Sequence, residues 1–524
     1  MTLLVVLLAA AVGALALARQ RPIVPPQQPP PPAWSLAGHD GARTGHSLSN
    51  PALVKGDSLT LRWRRAFAAP PLPARPPVVD GHGNVYVPRA DGALLSLDST
   101  SNGETRWCAA VQPITDTACA GPQPLQGQML PPPVAPNVTI APDNSLYVVD
   151  GTGELSFFPA SSSVAPASST PLWREKAGLI PGDGIALSPD GGTLYGVVAG
   201  PARSLYTVAA RRPRRQPATG WGPAPGWRPP FIPALRFSPV SVAPDGTPLV
   251  AATALDVRGD AVLYAFDTRN QARGRGRWHV ALAPGRPTYA AIEPTRHGWI
   301  AWIAVSGPVR SWIVLVDNNG RVLWRWSTLH HIDTKDGGVA LSLASSGCLS
   351  SRAALGYVST EVGIYAIDRR IYHPWLFFDT RRLGAGEPGA LATDVCGDVY
   401  VATSHGAVYA LVPSGRRTIS PLGQVRWAYA TGRDARGALA LDPHGAVLVA
   451  SRDVSGTVVL ESLGAGPGAP LATPRPGATA IPCADADCPT ITPAPSATAT
   501  ITPTMTATAS FTATATILAP SPSP

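Results

Sequence analysis

The densest group of potentially reactive side chains is Trp324-Arg325-Trp326-Ser327-Thr328-Leu329-His330-His331-Ile332-Asp333. Imidazoles and a carboxylate are metal-ligand types, so His330, His331 and Asp333 are candidate ligands. Adjacent residues of an extended chain point to opposite faces, which argues against both histidines holding one ion. Solvated loop histidines are the preferred reading, and no metal is expected. The six cysteines, Cys108, Cys119, Cys348, Cys396, Cys483 and Cys488, lack the Cys-x-x-Cys or Cys/His spacing of a zinc site. No Gly-rich phosphate loop, Gly-x-Ser-x-Gly elbow or His-Glu-x-x-His helix occurs. No catalytic residue is therefore assigned, and a non-enzyme is favoured over an enzyme.

The elements that carry these residues are short. The chain has 524 residues, 59 of them Pro and 51 Gly, with 14% charged. Gly and Pro cost about 1 and 3 kcal/mol inside a helix, so this composition suits strands and turns. The net charge is +9. The densest basic cluster, Arg211, Arg212, Arg214 and Arg215, is broken by Pro213 and has no interleaved aromatics. No nucleic-acid partner is expected.

The ends read differently from the middle. Residues 1–18 form an export signal: Leu3 to Ala18 is apolar and too short for a typical membrane span, and Ala16-Leu17-Ala18 supplies a small-x-small cleavage pattern. Arg19 and Arg21 follow the apolar run rather than precede it, which leaves an uncleaved anchor as the alternative. Membrane contact would then be through this segment alone. Residues 19–33 are a Pro-rich spacer. From residue 466 to 524 the chain is a Thr/Pro/Ala-rich tail expected to be disordered. A secreted or cell-surface location follows.

Residues 34–465 repeat. A turn followed by an apolar strand recurs at Asp80, Asp143, Asp190, Asp245, Asp394 and Asp442, in steps of 63, 47, 55, 149 and 48 residues. A period near 50 is that of propeller blades. The long step holds two further turns, placed at His297-Gly298 and Ser346-Gly347. Asp-Gly supplies the positive φ of a tight reversal. Strands such as Val85-Tyr86-Val87 and Val399-Tyr400-Val401 are apolar on consecutive residues, as expected when both faces are buried. The fold class is all-β, a β-propeller of eight blades, with seven as the alternative count.

Each unit carries a second signature, an Asp, a turn and a Trp: Asp98 with Trp107, Asp267 with Trp278, Asp317 with Trp324, and Asp368 with Trp375. Trp173 and Trp427 hold the same place without the Asp. The Asp-to-Trp spacing ranges from 7 to 11, which predicts non-uniform docking. Trp63 lies in an outer-strand-like segment before the first turn, and the last unit has no Trp. The Trp63 strand is expected to complete the last blade and close the ring.

This Ala-x-Asp…Gly…Trp unit resembles the PQQ-type, quinoprotein-like propeller repeat. Tyr264-Ala265-Phe266-Asp267 and Tyr365-Ala366-Ile367-Asp368 come close to it. The opening Trp34-Ser-Leu-Ala-Gly-His-Asp-Gly-Ala-Arg-Thr-Gly-His-Ser is similar to that of exported bacterial propellers such as the outer-membrane assembly lipoprotein. The resemblance implies that the Trp packs between blades. It also raises PQQ with calcium as a cofactor. Dehydrogenases of that family carry adjacent cysteines and a calcium-binding Glu/Asn/Asp set, and neither is matched here, so no cofactor is expected.

Exported cysteines suggest disulfides. Among the pairings that six cysteines allow, Cys108–Cys119, Cys348–Cys396 and Cys483–Cys488 are preferred. The favoured function is a non-catalytic binding or scaffold module with a protein or glycan partner at the cell envelope. A quinone-dependent dehydrogenase and a carbohydrate-binding or carbohydrate-active propeller are the alternatives.

Overall fold

The computed structural model describes residues 60–67, 77–89, 92–111, 136–160, 167–180, 185–198, 204–209, 234–254, 259–266, 276–332, 338–343, 355–413, 422–454 and 457–464. The chain divides into two units, Met1–Ala480 and Ile481–Pro524, and every described residue belongs to the first. The segments read as export signal, spacer and tail, the opening Trp34 motif, Asp267, Asp333 and the expected Ser346-Gly347 turn lie outside the described residues.

The described residues are all-β and form eight antiparallel sheets. The first holds Val78–Val79, Asn84–Pro88, Ala93–Asp98 and Glu104–Ala110. The second holds Asn137–Ile140, Leu146–Val149, Leu155–Phe158 and Trp173–Glu175. The third has three strands, Ile185–Leu187, Thr193–Val198 and Ser204–Ala209. The fourth pairs Ala234–Phe237 and Ser241–Val242 with Pro248–Ala254, followed by Asp260–Phe266 and Gly276–Pro284. The fifth pairs Arg286–Pro287 and Ala291–Thr295 with Gly298–Ser306, followed by Ser311–Asp317 and Val322–Thr328. The sixth runs Val339–Ser342, Leu355–Thr360, Gly363–Asp368 and His373–Asp379. The seventh runs Pro388–Thr393, Val399–Thr403, Ala407–Pro413 and Gly423–Ala430. The eighth runs Asp434–Leu441, Val447–Arg452 and Val458–Gly464, with Thr60–Phe67 as its outermost strand.

Inner strands touch in chain order. Val78–Val79 meets Asn137–Ile140, and contact then passes through Ile185–Leu187, Ser241–Val242, Ala291–Thr295, Val339–Ser342 and Pro388–Thr393 to Asp434–Leu441. This last strand meets Val78–Val79 again. Second strands such as Asn84–Pro88 and Val399–Thr403 are buried along their whole length. Each is sandwiched between neighbouring sheets, which is why its sequence does not alternate.

The opening turns come in two registers. Asp80, Asp394 and Asp442 precede their turns, and each Oδ1 accepts the N–H groups two and four residues on, at 2.7–3.0 Å. Asp143, Asp190 and Asp245 sit later in the turn and accept the N–H of Ser145, Gly192 and Thr247. The Asp spacing thus mixes two positions. The consistent marker is the residue at positive φ: Gly83, Asn144, Gly191, Gly246, Gly397 and Gly445, with φ between 64° and 83°. In Asp80-Gly81-His82-Gly83 it is the second glycine that takes the left-handed conformation, not the one beside Asp80.

Candidate functional site

The tryptophans share one place in the register. Trp107 lies opposite Ser96, Trp278 opposite Ala265, Trp324 opposite Leu315 and Trp375 opposite Ala366. Each partner is two residues before Asp98, Asp267, Asp317 and Asp368 in sequence. Trp63, Trp173 and Trp427 stand in the outermost strands opposite Ser462, Phe157 and Ala410. The uneven Asp-to-Trp spacing is taken up by turn length, since the register shift beside the Trp is the same in the first, fourth and fifth sheets. The register is shared, but the contacts differ: Trp63 and Trp278 donate to turn carbonyls, whereas Trp107 stacks on Phe158 and Trp324 on Tyr372.

Two contacts show what the Trp does. The Trp63 indole N–H donates to the carbonyl of Ser99 at 3.0 Å, and Trp278 donates to Asn318 at 3.0 Å. Both acceptors directly follow the turn aspartates, Asp98 and Asp317. Asp98 accepts the Thr100 amide and hydroxyl at 2.8 and 2.7 Å, and Asp317 accepts the amides of Asn319 and Arg321. The aspartate shapes the turn, and the turn offers a carbonyl to the preceding sheet. Burial would raise the Asp98 carboxyl, but Thr100, Ser101 and Arg106 together hold it down at about 2. Beneath the rings lie glycines. A Cβ on Gly103 would come within 2.6 Å of Trp63, and one on Gly320 within 2.7 Å of Trp278.

The arginines beside these tryptophans are similarly engaged. Arg106 pairs with Asp98 at 2.6 Å, Arg277 with Asp245 at 3.1 Å, and Arg426 with Asp398 at 3.6 Å. In the sixth sheet Arg370 grips Asp368, while Arg369 reaches the buried Glu293 of the fifth sheet at 2.9 Å. Part of the basic excess thus serves the fold.

Like Glu293, the buried acids Glu461 and Asp398 escape sequence reasoning, because each is a single residue inside a repeat. Glu461 is fully buried in the eighth sheet. Its Oε1 accepts Arg64 Nε at 2.7 Å and the Tyr429 hydroxyl of the seventh sheet at 3.2 Å. Burial raises its carboxyl, against the opposing pull of Arg64, Arg433 and Tyr429. Asp398 donates its backbone N–H to Asp394 within one turn. Burial, and then the Asp394 charge, push the Asp398 carboxyl up to about 7 despite Arg426.

The His330-His331 pair separates as adjacent residues should. His331 Nδ1 lies 3.1 Å from the Ser306 hydroxyl, while His330 Nδ1 lies 3.5 Å from Glu361 of the sixth sheet. Among the described residues no three His, Cys, Asp or Glu side chains gather as a metal-binding group. Around His330 the chemistry is aromatic. Its ring lies 6.3 Å from Tyr365, which lies 5.1 Å from Trp326. Trp324 stacks on Tyr372 at 5.8 Å. The cysteines within the described residues are Cys108 and Cys396, and neither is a free thiol. Cys119, Cys348, Cys483 and Cys488 lie outside the described residues.

Radial antiparallel sheets whose inner strands touch in sequence make this chain a β-propeller. No family model matches it, and no curated protein matches it. Among solved structures it is similar to Saccharomyces cerevisiae Sqt1, at 13% identity and TM-score 0.45, covering 80% of this chain and 100% of that one. It is also similar to the dihydro-heme d1 dehydrogenase NirN in complex with DHE, at 15% identity and TM-score 0.45, covering 78% and 80%. The Dos1 propeller is a third, at 11% identity and TM-score 0.42, covering 77% and 95%. Likenesses at this level assign no activity, and the quinoprotein-type repeat stays a resemblance.

Proposed function

We propose that the chain is a secreted or cell-surface propeller of eight blades, closed by its outer strand Thr60–Phe67, that works as a non-catalytic binding or scaffold module. One observation carries the functional part. Residues of chemical type are occupied in construction: the turn aspartates cap backbone amides, tryptophans dock sheets, and arginines hold the aspartates. What is left for partners is the loops at the sheet ends and the grooves between sheets. The eight-blade count draws support from the circle of inner-strand contacts, and closure from the pairing of Thr60–Phe67 with Val458–Gly464. Export draws support from the apolar Leu3–Ala18 segment, and the pairs Cys108–Cys119 and Cys348–Cys396 are proposed with it.

The deciding experiment adds PQQ and calcium to the purified protein and follows dye reduction with alcohols and sugars. The binding-module reading expects none. Tight quinone binding with substrate-dependent reduction would replace it with the dehydrogenase alternative.

A further inference from the structure

Three turns of one register form a natural series. In the first, seventh and eighth sheets the turn opens on a fully buried aspartate, Asp80, Asp394 and Asp442, whose Oδ1 caps two backbone amides. What the second oxygen meets differs. Oδ2 of Asp80 accepts Asn84 Nδ2 at 2.7 Å and the Tyr86 hydroxyl at 3.1 Å. Oδ2 of Asp394 accepts the Tyr400 hydroxyl at 2.9 Å, and Asp398 holds the place of Asn84. In the eighth sheet the same two places fall to Ala446 and Leu448, which have no side-chain donor. Oδ2 of Asp442 is buried with no hydrogen-bond partner among the described residues.

This bare oxygen sits at the junction where the last inner strand meets the first again. Asp442 Oδ1 accepts the amide of His444 at 2.9 Å, and so holds the residue that touches the first sheet. The His444 ring packs on Gly83, where an added Cβ would come within 3.0 Å of it. Its Nε2 lies 3.4 Å from the His82 carbonyl. The first sheet thus brings Asp80 and His82 to the junction. The turn of the seventh sheet carries Asp394 and Asp398, with Arg426 3.6 Å from Asp398. Burial raises the Asp442 carboxyl above its ordinary 3.8, against the opposing pull of the Ala446 and His444 amides and of the charges of His444 and Arg62.

We propose that Asp442 makes the seam between the eighth and first sheets a proton-operated latch, firm in acid and looser as pH rises. An uncharged carboxyl lies there at the cost of one missing hydrogen bond, whereas an ionised one leaves a charge on a bare buried oxygen. Because the folded carboxyl is raised, its contribution to stability is whole below pH 3.8 and is lost as pH climbs through the folded value. The charge reaches water when the turn opens. Opening frees the His444 amide from Asp442, and with it the contact of His444 on Gly83. The turn of the first sheet lacks this device, because Asn84 and Tyr86 both donate to Asp80. Asp398 lies within the seventh sheet, whereas Asp442 acts on the seam.

The test follows hydrogen–deuterium exchange of the full chain by mass spectrometry at pH 5 and pH 8, with rates corrected for the intrinsic pH dependence of amide exchange. Between these values the turns at Asp442 and Asp80 are expected to lose protection about tenfold more than residues 299–305 of the fifth sheet. Asp442→Asn has no proton to lose and should abolish the difference. Leu448→Tyr should do the same by supplying the hydroxyl that Tyr86 and Tyr400 supply in their sheets. Its cross-strand neighbours, Ala440 and Ser462, are small, like the Ala392 and Ala410 that flank Tyr400. The proposal is overturned if the seam and the fifth sheet lose protection equally. It is also overturned if either folded variant keeps the native difference, which would assign the response to His82, His444 or Asp398. None of these outcomes touches the binding-module reading.

Discussion

The indole of Trp63 and the carbonyl of Ser99 meet at 3.0 Å, joining the outermost strand of the eighth sheet to the outer turn of the first. Trp63 is 5% exposed. Trp63→Ala should cost about 3–5 kcal/mol in urea unfolding, through lost burial and a residual cavity. Trp63→Phe keeps most of the ring and should lose about 1 kcal/mol with the hydrogen bond. Equal losses from the two variants would mean that the ring's packing contributes little.

Glycines divide into those under a ring and those in open space. Gly103 has φ 69° and a Trp63 atom 2.6 Å from any added Cβ, whereas Gly246 has φ 83° and nothing within 4 Å. Gly246→Ala should cost about 1 kcal/mol, the backbone penalty alone. Gly103→Ala should cost that and the displacement of Trp63, about 3 kcal/mol in total. Thermal denaturation of the two variants side by side gives the comparison.

Asp398 makes stability depend on pH. Its folded carboxyl titrates near 7, raised by burial and by Asp394, while an unfolded Asp stays at its ordinary 3.8. Between those values the folded chain holds a proton that the unfolded chain has lost, so this contribution is fully present below pH 4 and fades as pH rises through 7. Asp398→Asn should flatten that slope and stabilise the protein at pH 8 by roughly 2 kcal/mol. Urea midpoints at pH 5 and pH 8 for both proteins measure it, and an unchanged slope in the variant would refute it.

Arg64 and Glu461 lie 397 residues apart and share a hydrogen bond of 2.7 Å. Arg64 is 44% exposed on its side chain, so solvent screens part of the pair. Arg64→Ala should still cost about 1–3 kcal/mol, because Glu461 stays buried with fewer partners. Glu461→Gln in the Arg64→Ala background should recover part of that loss. A double-mutant cycle from chemical denaturation reads the coupling, and strictly additive effects would rule it out.

The repeat was legible in the sequence because Asp, Gly and Trp carry distinct local chemistry. Asp caps amides, Gly takes positive φ, and Trp needs a slot between sheets. The register was not legible, because an Asp at either of two turn positions caps the turn. Asp80 and Asp143 therefore look alike in sequence yet sit in different places. The uniform placing of Trp107, Trp278 and Trp324 was hidden by turns of different length between the paired strands, which change spacing without changing partner. The group around His330 was visible as residue types, but its Glu361 partner comes from the next sheet. Tyr372 reads as an ordinary turn residue, since nothing in the letter Tyr announces a φ of 51°.

The pairing of Thr60–Phe67 with Val458–Gly464 also sets a timetable for the newborn chain. The strand Thr60–Phe67 has no partner until its mate emerges almost 400 residues later. At ordinary ribosomal speed that wait is roughly 20 to 80 s. During it Trp63 is exposed, and the eighth sheet cannot be completed however fast the middle sheets form. A chain truncated before Val458 would carry Thr60–Phe67 as an orphaned outer strand, with Trp63 left without its slot.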